Sequence, residues 1–350
     1  MSGLNTGMNS RERLRRLFYH EEMDRPAVII RWWGFRDDPS LDDLYRLMTE
    51  RADWVEPWHA SSLVHNVPCS SCSDTEASEN NYTLKTAADA ERYLEMPMPE
   101  VGGNVSEYFR LRKMVGDRGI VLANIGSNPG GTVAAYFGSE QFALQSVLNR
   151  DMLHRLMQRE LAIKLRLVDF LIEQGVGPYF NCSGQEYITP PLHGRDDFFD
   201  FNVRYDKPIS DRIHDSGGRL SVHCHGSVKS VIDGFHALGA DVFHCFEAPP
   251  MGDITPSEAK VALKGRVALE GNIQISDMYE KSPNDIRVQT EALIRDCFDD
   301  HKGLAVSPTA SPFMAGKGGV CYPQYLAMVE TVINYNRKQA GYNAYTAQQR

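Results

Sequence analysis

The sequence His223-Cys224-His225-Gly226 carries the strongest chemical signal in the chain. Side chains two apart in an extended segment point to the same face, so His223 and His225 point one way and Cys224 the other. Two neutral imidazoles side by side suit zinc, and a third ligand from elsewhere would leave an open catalytic position. Glu186, in Cys-Ser-Gly-Gln-Glu-Tyr, and Cys245, in Phe-His-Cys-Phe-Glu, compete for that third place. Either a carboxylate or a thiolate serves. Glu247 and Cys321 are weaker candidates. Three further polar groups could act on a substrate. Glu247 and Glu270 are carboxylates from which a general base could be drawn, and Asn272 offers an amide beside Glu270.

Substrate binding points to aromatic and amide side chains. Arg31-Trp32-Trp33-Gly34-Phe35-Arg36 closes an apolar run, and Trp32, Trp33 and Arg36 would clamp an aromatic or acidic molecule by stacking and charge. Trp58 extends that wall, and Asn128 and Gln185 add polar contacts. Cys69-Ser-Ser-Cys72 has no second such pair and no redox-fold context, so it reads as incidental. Cys182 shares a face with Glu186 by parity and reads as a buried structural thiol.

These residues need a scaffold that gathers strand ends. A unit recurs: a short apolar or β-branched run, a turn, then an amphipathic helical stretch. Eight runs are visible: 27–32, 52–58, 120–125, 177–182, 219–223, 241–246, 267–270 and 303–306. Such alternation predicts parallel strands. Eight units over about 300 residues predict a single-domain α/β fold, a (β/α)8 TIM-type barrel, whose chemistry sits at the C-terminal strand ends. Gly-Ser-Asn-Pro-Gly-Gly-Thr (126–132) lacks the spacing of a dinucleotide-binding loop. Residues 139–174 predict two helices joined near 149–151, Ser282–Cys297 a Ser-capped helix, and Pro323–Arg337 a closing one. The expected organisation is a disordered lead over 1–9, a barrel domain over 10–340 with an N-terminal helix and a lid or extra hairpin inserted at 65–105, and a polar tail over 341–350.

Composition narrows the partners. Of 350 residues, 37 are Lys or Arg and 46 Asp or Glu, a net charge of −9 that offers no face for nucleic acid. Arg11, Arg13, Arg15 and Arg16 are expected to spread round an exposed first helix. No apolar run is long enough for a membrane span. The opening residues lack a signal-peptide core, and the odd total of 7 cysteines suggests free thiols in a reducing cytoplasm. Oligomeric state stays open.

Several segments carry a resemblance. Asn9–Val28, with its Asp24-Arg25-Pro26-Ala27-Val28 ending, resembles the start of the uroporphyrinogen decarboxylase superfamily. Arg219–Val228 resembles the segment where its corrinoid-linked methyltransferase branch carries His-x-Cys-Gly. Residues 239–247, 267–273 and 304–312 follow in the family's order. The resemblance implies a (β/α)8 barrel and one of two activities. One branch binds zinc and moves methyl groups between small substrates and a corrinoid protein or a thiol. The other decarboxylates a porphyrinogen without metal, holding carboxylates with arginines, for which Arg31 and Arg36 would stand here. This chain departs from both patterns. His225 stands where the methyltransferase has Cys, and Thr309 and Ala310 stand where a further ligand Cys is expected. The closer match is to the methyltransferase branch. It implies zinc, with Glu186 or Cys245 replacing the missing thiolate, and a corrinoid protein supplied in trans. The alternative is a metal-free lyase acting on a carboxylic acid.

Overall fold

The computed structural model describes residues 7–32, 37–65 and 83–335. Trp33, Arg36, Cys69, Cys72 and the 341–350 tail lie outside the described residues. Eight strands belong to one parallel α/β sheet. They are β1 (Ala27–Val28), β2 (Trp54–His59), β3 (Gly119–Ser127), β4 (Tyr179–Ser183), β5 (Arg219–His223), β6 (Val242–His244), β7 (Ala268–Ile273) and β8 (Leu304–Pro308). Helices follow the strands, and the fold is of the (β/α)8 TIM type. Each expected run contains a strand, although β1 and β6 are shorter than their apolar runs. Apolarity continues past their ends because the residues beyond, such as Ile29, Ile30 and Phe246, are also buried.

The chain divides into two compact units. The first comprises Met1–Pro57, Arg110–Val121 and Asp241–Arg350. Here β1, β8, β7 and β6 pair in that order, all parallel. The first helix, Ser10–Phe18, starts where the Asn9 side chain accepts the Glu12 N–H at 2.8 Å. It buries Leu14, Leu17 and Phe18. Its arginines do not form the solvated face their spacing suggested. Arg13 is buried, donating to Asp53 at 2.7 Å and Asp24 at 2.8 Å, while Arg15 and Arg16 pair with Glu12. Arg25 grips the other oxygen of Asp53 at 2.8 Å. Burial alone would raise the Asp53 pKa, but Arg25 and Arg13 outweigh it and hold the carboxyl below its ordinary value. The Asp24-Arg25-Pro26 segment is thereby tied into a buried electrostatic anchor ahead of β1. Gly119 opens β3 because a Cβ there would lie 1.7 Å from the Trp54 carbonyl oxygen. The last helix runs Gly318–Ile333 and so begins upstream of the expected Pro323. Ser40 Oγ accepts the Gly318 N–H at 3.0 Å, which sets the start.

The second unit comprises Trp58–Phe109 and Leu122–Ala240. In it β3, β4 and β5 pair in sequence, parallel. The helices Ser139–Leu148 and Arg150–Glu173 break at Asn149 as expected. The expected insertion holds a helix, Ala87–Glu95, closed by a Thr86/Asp89 capping box, and Val64–His65 pairs antiparallel with Glu100–Val101. Among the described residues no helix is long and apolar enough to cross a membrane.

Candidate metal centre

His223 ends β5, and His225 follows two residues later. Their rings are neighbours, with centroids 4.6 Å apart and planes at 89°, while Cys224 is fully buried between them. Both rings are half-buried. The alternation read from the sequence therefore brings the two imidazoles together, as a C-terminal strand end should.

β6 contributes three further donors in quick succession. His244 is its last residue, Cys245 follows, and Glu247 lies just beyond, with exposures of 1%, 0% and 4%. Within the first unit, His244, Cys245 and Glu247 put an imidazole, a thiol and a carboxylate, all buried, into four successive positions. Imidazole, thiolate and carboxylate in a nearly dry setting are a fitting donor set for zinc.

Glu186 is placed differently. It sits on the 3-10 turn Gln185–Ile188 after β4, where the Gly184 N–H donates to its Oε2 at 3.1 Å. Burial raises its pKa, opposed in part by the nearby His225. Cys182 behaves as the structural thiol expected, buried and pushed up to about 12 by desolvation.

Several expected contact residues turn out to belong to the frame. Glu270 on β7 is not a free base. Its carboxylate takes two charge-assisted bonds from Arg31, at 2.6 and 2.7 Å, with both groups buried. Trp32 is 6% exposed and packs on Tyr45, centroids 5.3 Å apart, so this ring is core and not an open wall. Trp58 packs on Tyr108 at 5.4 Å. Asn128 caps the helix Pro129–Phe137, accepting the Gly131 N–H at 2.7 Å, and its Nδ2 donates to Asp206 and Asn202. Gln185 is fully buried and donates to Asp206 at 2.8 Å. Their amides hold the loop after β4. Asn272 remains half-buried near the end of β7. His244 is not among the residues singled out from the sequence, and it proves to be the last residue of β6, next to Cys245. Glu247, read both as a base and as a weaker ligand, is buried two residues beyond Cys245.

Parallel α/β architecture with metal-ligand side chains at its strand ends defines the class, a (β/α)8 protein with a candidate metal centre. The family model described as uroporphyrinogen decarboxylase (URO-D) matches residues 80–311, and the chain belongs to that family. Among solved structures of similar fold is a methyltransferase from Methanosarcina mazei, with a TM-score of 0.66 at 14% identity, covering 94% of this chain and 99% of that one. Another is a B12-independent methionine synthase from Shewanella sp. W3-18-1, solved with selenomethionine, with a TM-score of 0.50 at 11% identity, covering 70% of each chain. No curated protein matches the sequence significantly.

Proposed function

We propose that this protein is a metal-dependent methyltransferase that moves a methyl group from a small methoxylated or methylthio substrate to a corrinoid protein, or in reverse to a thiol. One observation carries the reading: an imidazole, a thiol and a carboxylate, all buried, stand at and just after the end of β6, on His244, Cys245 and Glu247. Zinc is the proposed ion. The proposed ligands are His223, His225, Cys245 and Glu247, with Glu186 as an alternative oxygen donor. The two anionic donors of that set would balance a divalent charge. When bound, zinc would act as a Lewis acid that makes an ether or thioether heteroatom a better leaving group.

The chain's own residues would do the remaining work. Arg31 holds Glu270 within β7, which leaves Asn272, nearer the strand's end, as the side chain proposed to meet a substrate. Trp33 and Arg36, outside the described residues, are proposed to complete the substrate wall. The methyl acceptor, a reduced corrinoid, would come in trans from a partner protein. The fold likeness to two methyl-transfer proteins agrees with this reading. Buried thiols at Cys182, Cys224, Cys245, Cys297 and Cys321 suit a cytoplasmic setting.

A direct test supplies zinc-loaded protein with free cob(I)alamin and either 2-methoxyphenol or a methyl thioether. The expected result is methylcobalamin formed only with protein and metal present. No methylcobalamin from either class of donor would count against the reading. Family membership supports one rival, a lyase releasing carbon dioxide from a carboxylic acid. The Arg31–Glu270 pair counts against it, because the cation that would grip a substrate carboxylate is already matched inside the protein. Carbon dioxide released by metal-stripped protein would favour the rival.

A further inference from the structure

Thr309, one of the two residues that stand where the resemblance expects a ligand cysteine, is fully buried just after β8. Its backbone N–H donates to the Ile273 carbonyl at 2.8 Å, which fixes it beside the end of β7. Its hydroxyl has two partners with opposite roles. It accepts the Ile275 N–H at 3.2 Å and donates to Gln274 Oε1 at 3.1 Å. That second bond sets the amide's orientation. With Oε1 held by the hydroxyl, Gln274 must turn Nε2 the other way, and Nε2 donates to Glu247 Oε1 at 3.4 Å. Every donor in this chain points toward the carboxylate: Ile275 N–H to Thr309, Thr309 to Gln274, Gln274 to Glu247. Donor chains aligned in one direction polarise and strengthen each other. A second link runs between the same segments, where the buried His244 Nε2 lies 3.0 Å from the Pro308 carbonyl oxygen. A carbonyl accepts only, so Nε2 carries the proton there.

We propose that Thr309 is a positioning residue for the metal centre: through Gln274 it orients the Glu247 carboxylate toward the ion, so the strand end that lacks a ligand thiol supports a ligand instead of supplying one. This rests on the reading of Glu247 as a ligand. Outer partners of metal ligands fix their orientation, and their loss typically weakens binding roughly 10- to 100-fold. Thr309 and Gln274 lack any anionic donor of their own, so neither would replace the missing thiolate directly.

The test measures zinc affinity by competition with a chromogenic chelator, together with the absorption spectrum of the Co(II)-loaded protein. Thr309→Val keeps shape and removes the hydroxyl, and Thr309→Ser keeps the hydroxyl. Thr309→Val is expected to weaken metal binding roughly 10- to 100-fold and to alter the Co(II) bands, with Thr309→Ser near the parent on both counts. Gln274→Leu, at a half-buried site, is the second variant, expected to resemble Thr309→Val. The proposal is overturned if Thr309→Val or a folded Gln274→Leu binds within twofold of the parent, or if Thr309→Ser is as weak as Thr309→Val. If the parent itself binds no metal, the metal-centre reading fails first, and the positioning role fails with it.

Discussion

A residue's role in this protein depends on what already holds it. Glu270 illustrates the point. In the sequence it is one of several carboxylates after a strand, and any of them could be a base. In the structure it is clasped by Arg31 in a buried bidentate pair. Removing one partner of a buried ion pair leaves an uncompensated charge and typically costs about 3–5 kcal/mol. Arg31→Met or Glu270→Leu should each lower unfolding free energy in urea by about that amount, and the double variant should recover much of the loss. Additive losses in the double variant would mean that the pair is not the source of the effect. His223, His225 and Cys245 could be named as candidate ligands because ligand chemistry is written in residue type. The state of Glu270 was not, since Arg31 is 239 positions away along the chain.

At the scale of elements, strands and helices followed the local patterns closely because each signal is short-range. Ser282 and Pro283 start the helix Pro283–Cys297, and the helix pair breaks at Asn149. The buried polar network behind the loop after β4 was not legible. Asp206, on the helix Arg204–Asp215, accepts bonds from Gln185 and Asn128, which come from two other segments. Burial pushes the Asp206 pKa up to about 7, against hydrogen bonds from Gln185 and Asn128 and the charge of Lys164. The sign follows from linkage. The folded state binds this proton more tightly than the unfolded chain does, so stability falls as pH rises from about 4 to about 7 and levels off above that. Asp206→Asn cannot titrate. Its urea midpoint should drop less between about pH 5 and pH 8 than the parent's, by the equivalent of a few kcal/mol. Equal drops in the two proteins would remove Asp206 as a source of pH dependence. The positioning role proposed for Thr309 and Gln274 was not legible for a similar reason: it depends on which way an amide faces.

For the whole molecule, eight alternating units predicted the (β/α)8 class, because burial on both faces of a parallel strand leaves a plain apolar signature. The URO-D family match bears this out over most of the chain. Membership sets the scaffold, while the chemistry depends on which donors occupy the strand ends. Here the ends of β5 and β6 carry the donors, and the end of β8 carries a hydroxyl where the resemblance expects a thiol. A ligand that binds only the folded form stabilises it by mass action, about 2.7 kcal/mol at a hundredfold excess over Kd. Zinc should therefore raise Tm in a concentration-dependent way, and a Cys245→Ser plus His225→Ala variant should lose that rise. A Tm indifferent to zinc would argue that no folded-state site exists. The measurement that bears most directly on the central claim is the metal content and absorption spectrum of the full-length protein loaded with Co(II). The account predicts one bound equivalent with a thiolate-to-cobalt charge-transfer band that disappears in Cys245→Ser. Protein that binds no stoichiometric metal, or a band that survives the loss of Cys245, would contradict it.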